Sequence, residues 1–154
     1  MRTGRFGYPT TLQSANGWYE YTTYLAASGD TCIRVVDGDS NHADYNLGMN
    51  DDTVWEFIKK NESLTMRYPY QVVIVTEDGK EVLENCRTLR NAYKMARKAV
   101  REYFCDGQCH DGDDTVIYIA LRGVHEVNEY CINNRVRPAV VDTWYADDFS
   151  YIGR

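Results

Sequence analysis

The chain has 154 residues, 44% of them hydrophobic and 26% charged, and a formal net charge of −6. A domain of that length buries roughly 68–70% of its unfolded surface, so its stability requires neither a metal nor disulfides. No apolar run approaches the roughly 18 residues of a membrane helix. No apolar h-region follows Met1, and five cysteines without paired spacing fit reduced thiols, so a cytoplasmic location is expected.

The charge is unevenly distributed. Residues 30–56 hold seven acids and one base, residues 87–101 hold six bases and no acid, and residues 105–154 hold nine acids against four bases. Bulk charge therefore opposes general nucleic-acid affinity, while one segment favours it. Thirteen tyrosines and three tryptophans serve mostly as core or strand-face residues, and such side chains also act as rigid anchors at interfaces.

In chain order, residues 1–16 carry Gly4, Gly7 and Pro9 and predict an irregular N-terminal arm. Trp18 to Leu25 is aromatic and β-branched, a strand that turns at Ser28-Gly29-Asp30 and pairs with Thr31 to Val36. Asp37 to Asn50 is polar and turn-prone. A helix follows from about Thr53 to Asn61, with Val54, Phe57 and Ile58 on its inner face. There Thr53-Val-Trp-Glu56 has the form of a capping box, and Asp51 and Asp52 suit the positive end of the helix dipole. Tyr70 to Val75 is a strand, Glu77-Asp78-Gly79-Lys80 a hairpin turn, and Glu81 to Leu83 a brief return. Thr88 opens a helix that runs to Phe104. Leu89, Ala92, Tyr93, Ala96, Val100 and Tyr103 share its inner face, and Arg90, Lys94, Arg97, Lys98 and Arg101 its outer one.

A Gly- and Asp-rich loop, 106–114, precedes a strand from Thr115 to Leu121. Residues 124–132 suit either helix or strand. Pro138 places the start of the last strand, Ala139 to Tyr145, at an edge, and residues 146–154 form a tail. The fold expected is α+β: a single domain, mainly antiparallel sheet of about five or six strands, with two or three helices packed on one face.

Few motifs carry chemistry. Asp37-Gly-Asp39-Ser-Asn41 matches the first half of a calcium loop, but His42 and Gly48 stand where a Gly and a bidentate Glu are needed, so it reads as an acidic turn. Cys105, Cys109 and His110 bring two soft ligands and an imidazole together and are weak zinc candidates without a clear fourth ligand. His42, His110 and His125 lie near acids, with no nucleophile motif beside them. Tyr145-Ala-Asp147-Asp148 resembles the Tyr-x-Asp-Asp motif of reverse transcriptases over four residues. No upstream palm strand with a further aspartate accompanies it, so a strand ending in an acidic turn is the better account. Walker loops, dinucleotide fingerprints, nucleophile elbows and His-Glu-x-x-His are absent from the sequence, which removes the common enzyme classes; no cofactor is expected.

Two surfaces remain. Asp142 to Tyr151 interleaves carboxylates with large rings. Asp147, Asp148, Trp144, Tyr145 and Tyr151 form one candidate partner-binding patch, and Asp37, Asp39 and Asp44 a second. Such patches suit a protein partner with a basic surface, rings supplying affinity and charge supplying steering. Carboxylates standing where phosphates would sit would occupy a nucleic-acid-processing or defence complex as a nucleic-acid mimic. In composition the chain is similar to small mobile-element inhibitors of host defence nucleases. The alternative is a small nucleic-acid-binding module using Arg90, Lys94, Arg97, Lys98 and Arg101, a stripe on the order of 25 Å long that can follow a phosphate backbone. A metal-binding enzyme or zinc-stabilised domain built on Cys105, Cys109 and His110 ranks third.

Overall fold

In the computed structural model, which describes residues 10–50, 52–64, 66–105, 114–127 and 137–149, eight strands and two α-helices follow one another. They are β1 (Thr10–Ser14), β2 (Glu20–Leu25), β3 (Thr31–Val36), β4 (His42–Asn46), α1 (Asp52–Asn61), β5 (Tyr70–Thr76), β6 (Gly79–Cys86), α2 (Leu89–Val100), β7 (Val116–Val127) and β8 (Arg137–Tyr145). A π-helical turn, Arg101–Cys105, extends α2, and a 3-10 turn, Ala146–Phe149, follows β8. The sheet is mostly antiparallel, with hydrogen-bonded order β4-β3-β2-β1-β7-β5-β6 and β8 on β7. The α+β class is as expected from sequence; the strand count is higher.

The two additional strands lie where the sequence predicts irregular chain. β1 lies in the expected irregular arm, and β4 lies in the polar stretch after Asp37. All five residues of β4 are exposed, so no apolar alternation marks it. Pairing supplies what the pattern lacks, since Arg34 of β3 stands opposite Asp44 of β4 and meets both carboxylate oxygens, at 2.9 and 3.1 Å. β7 also runs past the expected end at Leu121 to Val127, which makes a strand of the ambiguous segment's beginning. Residues 128–136 lie outside the described residues.

The chain divides into two compact units, Met1–Thr65 with Leu121–Ala139, and Met66–Ala120 with Val140–Arg154. In the first, Leu12, Tyr21, Ile33, Val54, Trp55 and Ile58 are buried. Trp55, not Phe57, joins Val54 and Ile58 on the inner face of α1, and Phe57 packs on Tyr45 with ring centroids 5.0 Å apart. The expected capping box does not form. The Asn50 side chain accepts from the Asp52 N–H at 3.0 Å, and Thr53 sits inside the first turn, its hydroxyl donating to the Asn50 carbonyl at 2.6 Å.

At the other end Ser63 adopts φ 53. The Ser63 N–H bonds the Lys60 carbonyl and the Leu64 N–H the Lys59 carbonyl, both at 3.1 Å, a left-handed closure of the helix. That closure holds Glu62 against the strands. Ser14 Oγ donates to Glu62 Oε2 at 2.5 Å, Tyr21 OH donates to the same oxygen, and Asn61 Nδ2 donates to Tyr21 OH at 2.9 Å. Burial, and then the bond to Glu62, push the Tyr21 phenol well above its ordinary value.

In the second unit α2 packs on β5 and β6. Leu89, Ala92, Tyr93, Ala96, Ala99 and Val100 are buried, and side chains the size of Leu89 or Val100 contribute about 1.5–3 kcal/mol each by leaving water. Tyr103, expected on this face, is 45% exposed, and Phe104 is 1% exposed in its place. The wider π turn advances the register by one residue, so the apolar position falls one step later. The hairpin between β5 and β6 turns at Glu77-Asp78, with Gly79 at φ 125 as the first residue of β6. β6 is longer than the expected return strand and carries a bulge opposite Val72 and Val73.

Tyr21→Phe is expected to destabilise the protein by about 1–3 kcal/mol in urea unfolding at neutral pH, because Glu62 loses a donor in a part-buried site. The unfolded phenol titrates near pH 10, about its ordinary value, whereas the folded one keeps its proton. The stability supplied by Tyr21 is therefore full below about pH 10 and declines above it. Urea midpoints at neutral and alkaline pH should fall further for the native chain than for Tyr21→Phe; parallel declines would contradict this.

Candidate anion-binding groove

Thr88 starts α2 by sequence logic that the structure bears out. Its backbone is extended and its hydroxyl accepts the Asn91 N–H at 3.1 Å, satisfying one of the open donors of the first turn. Since the apolar face is taken by the core, the basic residues face outward. Arg90, Lys94, Arg97 and Arg101 recur at four-, three- and four-residue intervals and fall on one stripe. Together with Asn91 and Val100, and with Trp144 of β8 and Phe149 of the 3-10 turn, they line a groove of about 950 Å³. Lys98 is exposed but is not among the lining residues.

The aromatic wall is held from behind. Trp144 meets Tyr93 edge to face, with centroids 5.9 Å apart and planes at 81°. Tyr93 OH donates to Asp142 Oδ2 at 3.0 Å, and the Arg97 guanidinium carbon lies 5.3 Å from the Tyr93 ring centroid. Phe149 packs on Phe104 with centroids 5.7 Å apart, which ties the 3-10 turn to the π turn. Ion pairs away from the groove join Arg34 to Asp44 at 2.9 Å and Lys59 to Glu56 at 3.3 Å, and no carboxylate is among the groove's lining residues. The groove thus presents four guanidinium or ammonium groups beside an indole and a phenyl ring.

The acidic candidates fall in both units. Asp37, Asp39 and Asp44 belong to the first. Asp44 is engaged by Arg34, whose hydrogen bond holds its carboxyl below the usual range. Asp37 serves its own turn. Partial desolvation would raise its pKa, but bonds from the Asn41 N–H and side chain and the Asp39 N–H outweigh this and lower it. Asp39 is exposed. In the second unit Trp144 lines the basic groove, while Tyr145, Asp147 and Asp148 are exposed at the end of β8 and on the acidic turn that the sequence predicts there. Asp142 is spent on Tyr93 and on its neighbour Thr143 N–H, at 2.9 Å. Tyr151, Cys109 and His110, and the Cys105 side chain, lie outside the described residues.

Among the described residues no group of three or more His, Cys, Asp or Glu is placed to hold a metal ion. No described helix is long and apolar enough to cross a membrane. Comparison with family models, with curated proteins and with solved structures gives no match. Helical spacing announces the cations of the groove; it gives no signal for Phe149, which another part of the chain brings to them.

Thr88→Ala removes the cap and is expected to cost about 1 kcal/mol in urea unfolding, whereas Thr88→Ser, which keeps the acceptor, should cost less than half of that. Equal losses for the two variants would show that the hydroxyl does not carry the effect.

Proposed function

We propose that this chain is a small nucleic-acid-binding module that holds a phosphate-bearing chain in the α2 groove. The observation that carries this reading is the convergence of Arg90, Lys94, Arg97 and Arg101 with Trp144 and Phe149 on one groove of about 950 Å³. Phosphate requires cations with donors to spare, and Arg offers planar, bidentate geometry for it. Bases require flat apolar rings to stack on. A volume near 950 Å³ lies at the upper end of ordinary ligand sites, which suits a unit of nucleotide size or larger. The net charge of −6 repels polyanions elsewhere on the surface, so attraction is confined to this stripe.

Fluorescence anisotropy with a labelled single strand tests the reading. Affinity is expected to fall with salt at a log–log slope of about −3 if all of the groove cations meet phosphates. Lys94→Glu with Arg97→Glu should abolish binding, while Lys98→Glu, outside the groove, should weaken it only slightly. Failure of the native chain to bind any nucleic acid at low salt would overturn the proposal.

A second reading, occupation of a basic protein partner, draws on the exposure of Tyr145 (53%) beside exposed Asp147 and Asp148. An exposed ring flanked by carboxylates supplies an anchor and steering together. On that reading a basic partner is retained by the native chain and released by Asp147→Lys with Asp148→Lys. Retention by this double variant would exclude the patch.

A further inference from the structure

A second cavity, of about 450 Å³, lies along the start of α2. Tyr68, Glu84, Asn85 and Arg87 line it, and it shares Asn91 and Lys94 with the larger groove. Both cavities lie within the second unit. An extended molecule passing over Asn91 and Lys94 therefore borders both.

The two cavities differ in chemistry. The larger one has four cations and no carboxylate among its lining residues. The smaller one has a tyrosine that is 39% exposed, with the Arg67 guanidinium carbon 5.3 Å from its ring centroid, and one exposed arginine, Arg87. It also has Glu84, a carboxylate that opposes a phosphate and can accept from an N–H group on the edge of a base. Asn85 Oδ1 accepts from Gln71 Nε2 at 3.0 Å, which leaves the Asn85 N–H donors for base carbonyls. Burial, with Glu84 adding to it, pushes the Cys86 thiol pKa up, which disfavours its thiolate.

Resting on the nucleic-acid reading of the groove, we propose that its ligand is a single strand of several nucleotides. The strand leaves the Trp144–Phe149 groove over Asn91 and Lys94 and stacks a further base on Tyr68. Length favours a chain over a mononucleotide, since Arg90 to Arg101 alone spans about 16 Å of helix rise. Ring chemistry favours a single strand over a duplex. Trp144, Phe149 and Tyr68 can stack only on bases that have left the helical stack, and a duplex keeps its bases paired inside. The donors and acceptor around Tyr68 add hydrogen bonds to the edge of the base held there.

Anisotropy titrations with oligothymidylates of roughly three and roughly nine nucleotides, and with a duplex of the longer length, test this. The longer strand is expected to bind about tenfold more tightly than the shorter, and more tightly than the duplex. Tyr68→Ala should lower affinity for the longer strand about tenfold and leave the shorter one unchanged. Arg87→Glu, at an exposed position, should give the same selective loss and serves should Tyr68→Ala fold poorly. Equal affinity for both strands, or equal loss on both in these variants, would overturn the second subsite and leave the groove's nucleic-acid reading intact. Preference for the duplex would overturn the single-strand assignment. Absence of binding to every probe would overturn that reading and this inference together.

Discussion

Burial of Leu89, Ala92, Tyr93, Ala96, Ala99 and Val100 against the strands beneath α2 fixes the rotation of the helix about its axis. Everything in the groove depends on that rotation. A helix cannot turn its apolar face inward without turning the face opposite outward, so burial of the apolar residues places Arg90, Lys94, Arg97 and Arg101 in solvent. Mutual repulsion among four cations is weak at an exposed surface, where water and salt screen it. The apolar face, sheltered from both, decides the geometry.

The back of the groove is a chain of contacts that converts one acidic residue into a positioning device. Asp142 accepts from Tyr93, Tyr93 meets Trp144 edge to face, and Arg97 lies over the Tyr93 ring. An acidic and aromatic segment read along the sequence as a single patch is thereby divided. Trp144 joins the cations, Asp142 is used internally, and Tyr145, Asp147 and Asp148 stay exposed at the end of β8. Alternation along β8 puts Asp142 and Trp144, two residues apart, on the side of Tyr93 and Tyr145 on the other. The chain leaves the strand before Asp147 and Asp148, which stand on the 3-10 turn.

Polar groups likewise take structural work in the first unit. Glu62 gathers the Ser14 and Tyr21 hydroxyls at the end of α1, where a left-handed Ser63 closes the helix. Arg34 engages Asp44, and Asp37 caps its own turn. Carboxylates committed in this way offer less to a partner than their number suggests, because a second binder must compete with a hydrogen bond already made.

Local pattern gave α2, its start at Thr88, four of the groove's cations and the β5–β6 hairpin, because each depends on residues a few positions apart. Where a signal needs a distant partner, the sequence was silent or misleading. β4 has no apolar alternation and exists through its register with β3; Tyr103 yields to Phe104 because a π turn shifts the phase. Local spacing determined which side chains could share a face. Only the tertiary structure decided that Trp144 and Phe149 stand beside the cations of α2, because that placement comes from strand pairing and ring packing between segments remote in the chain.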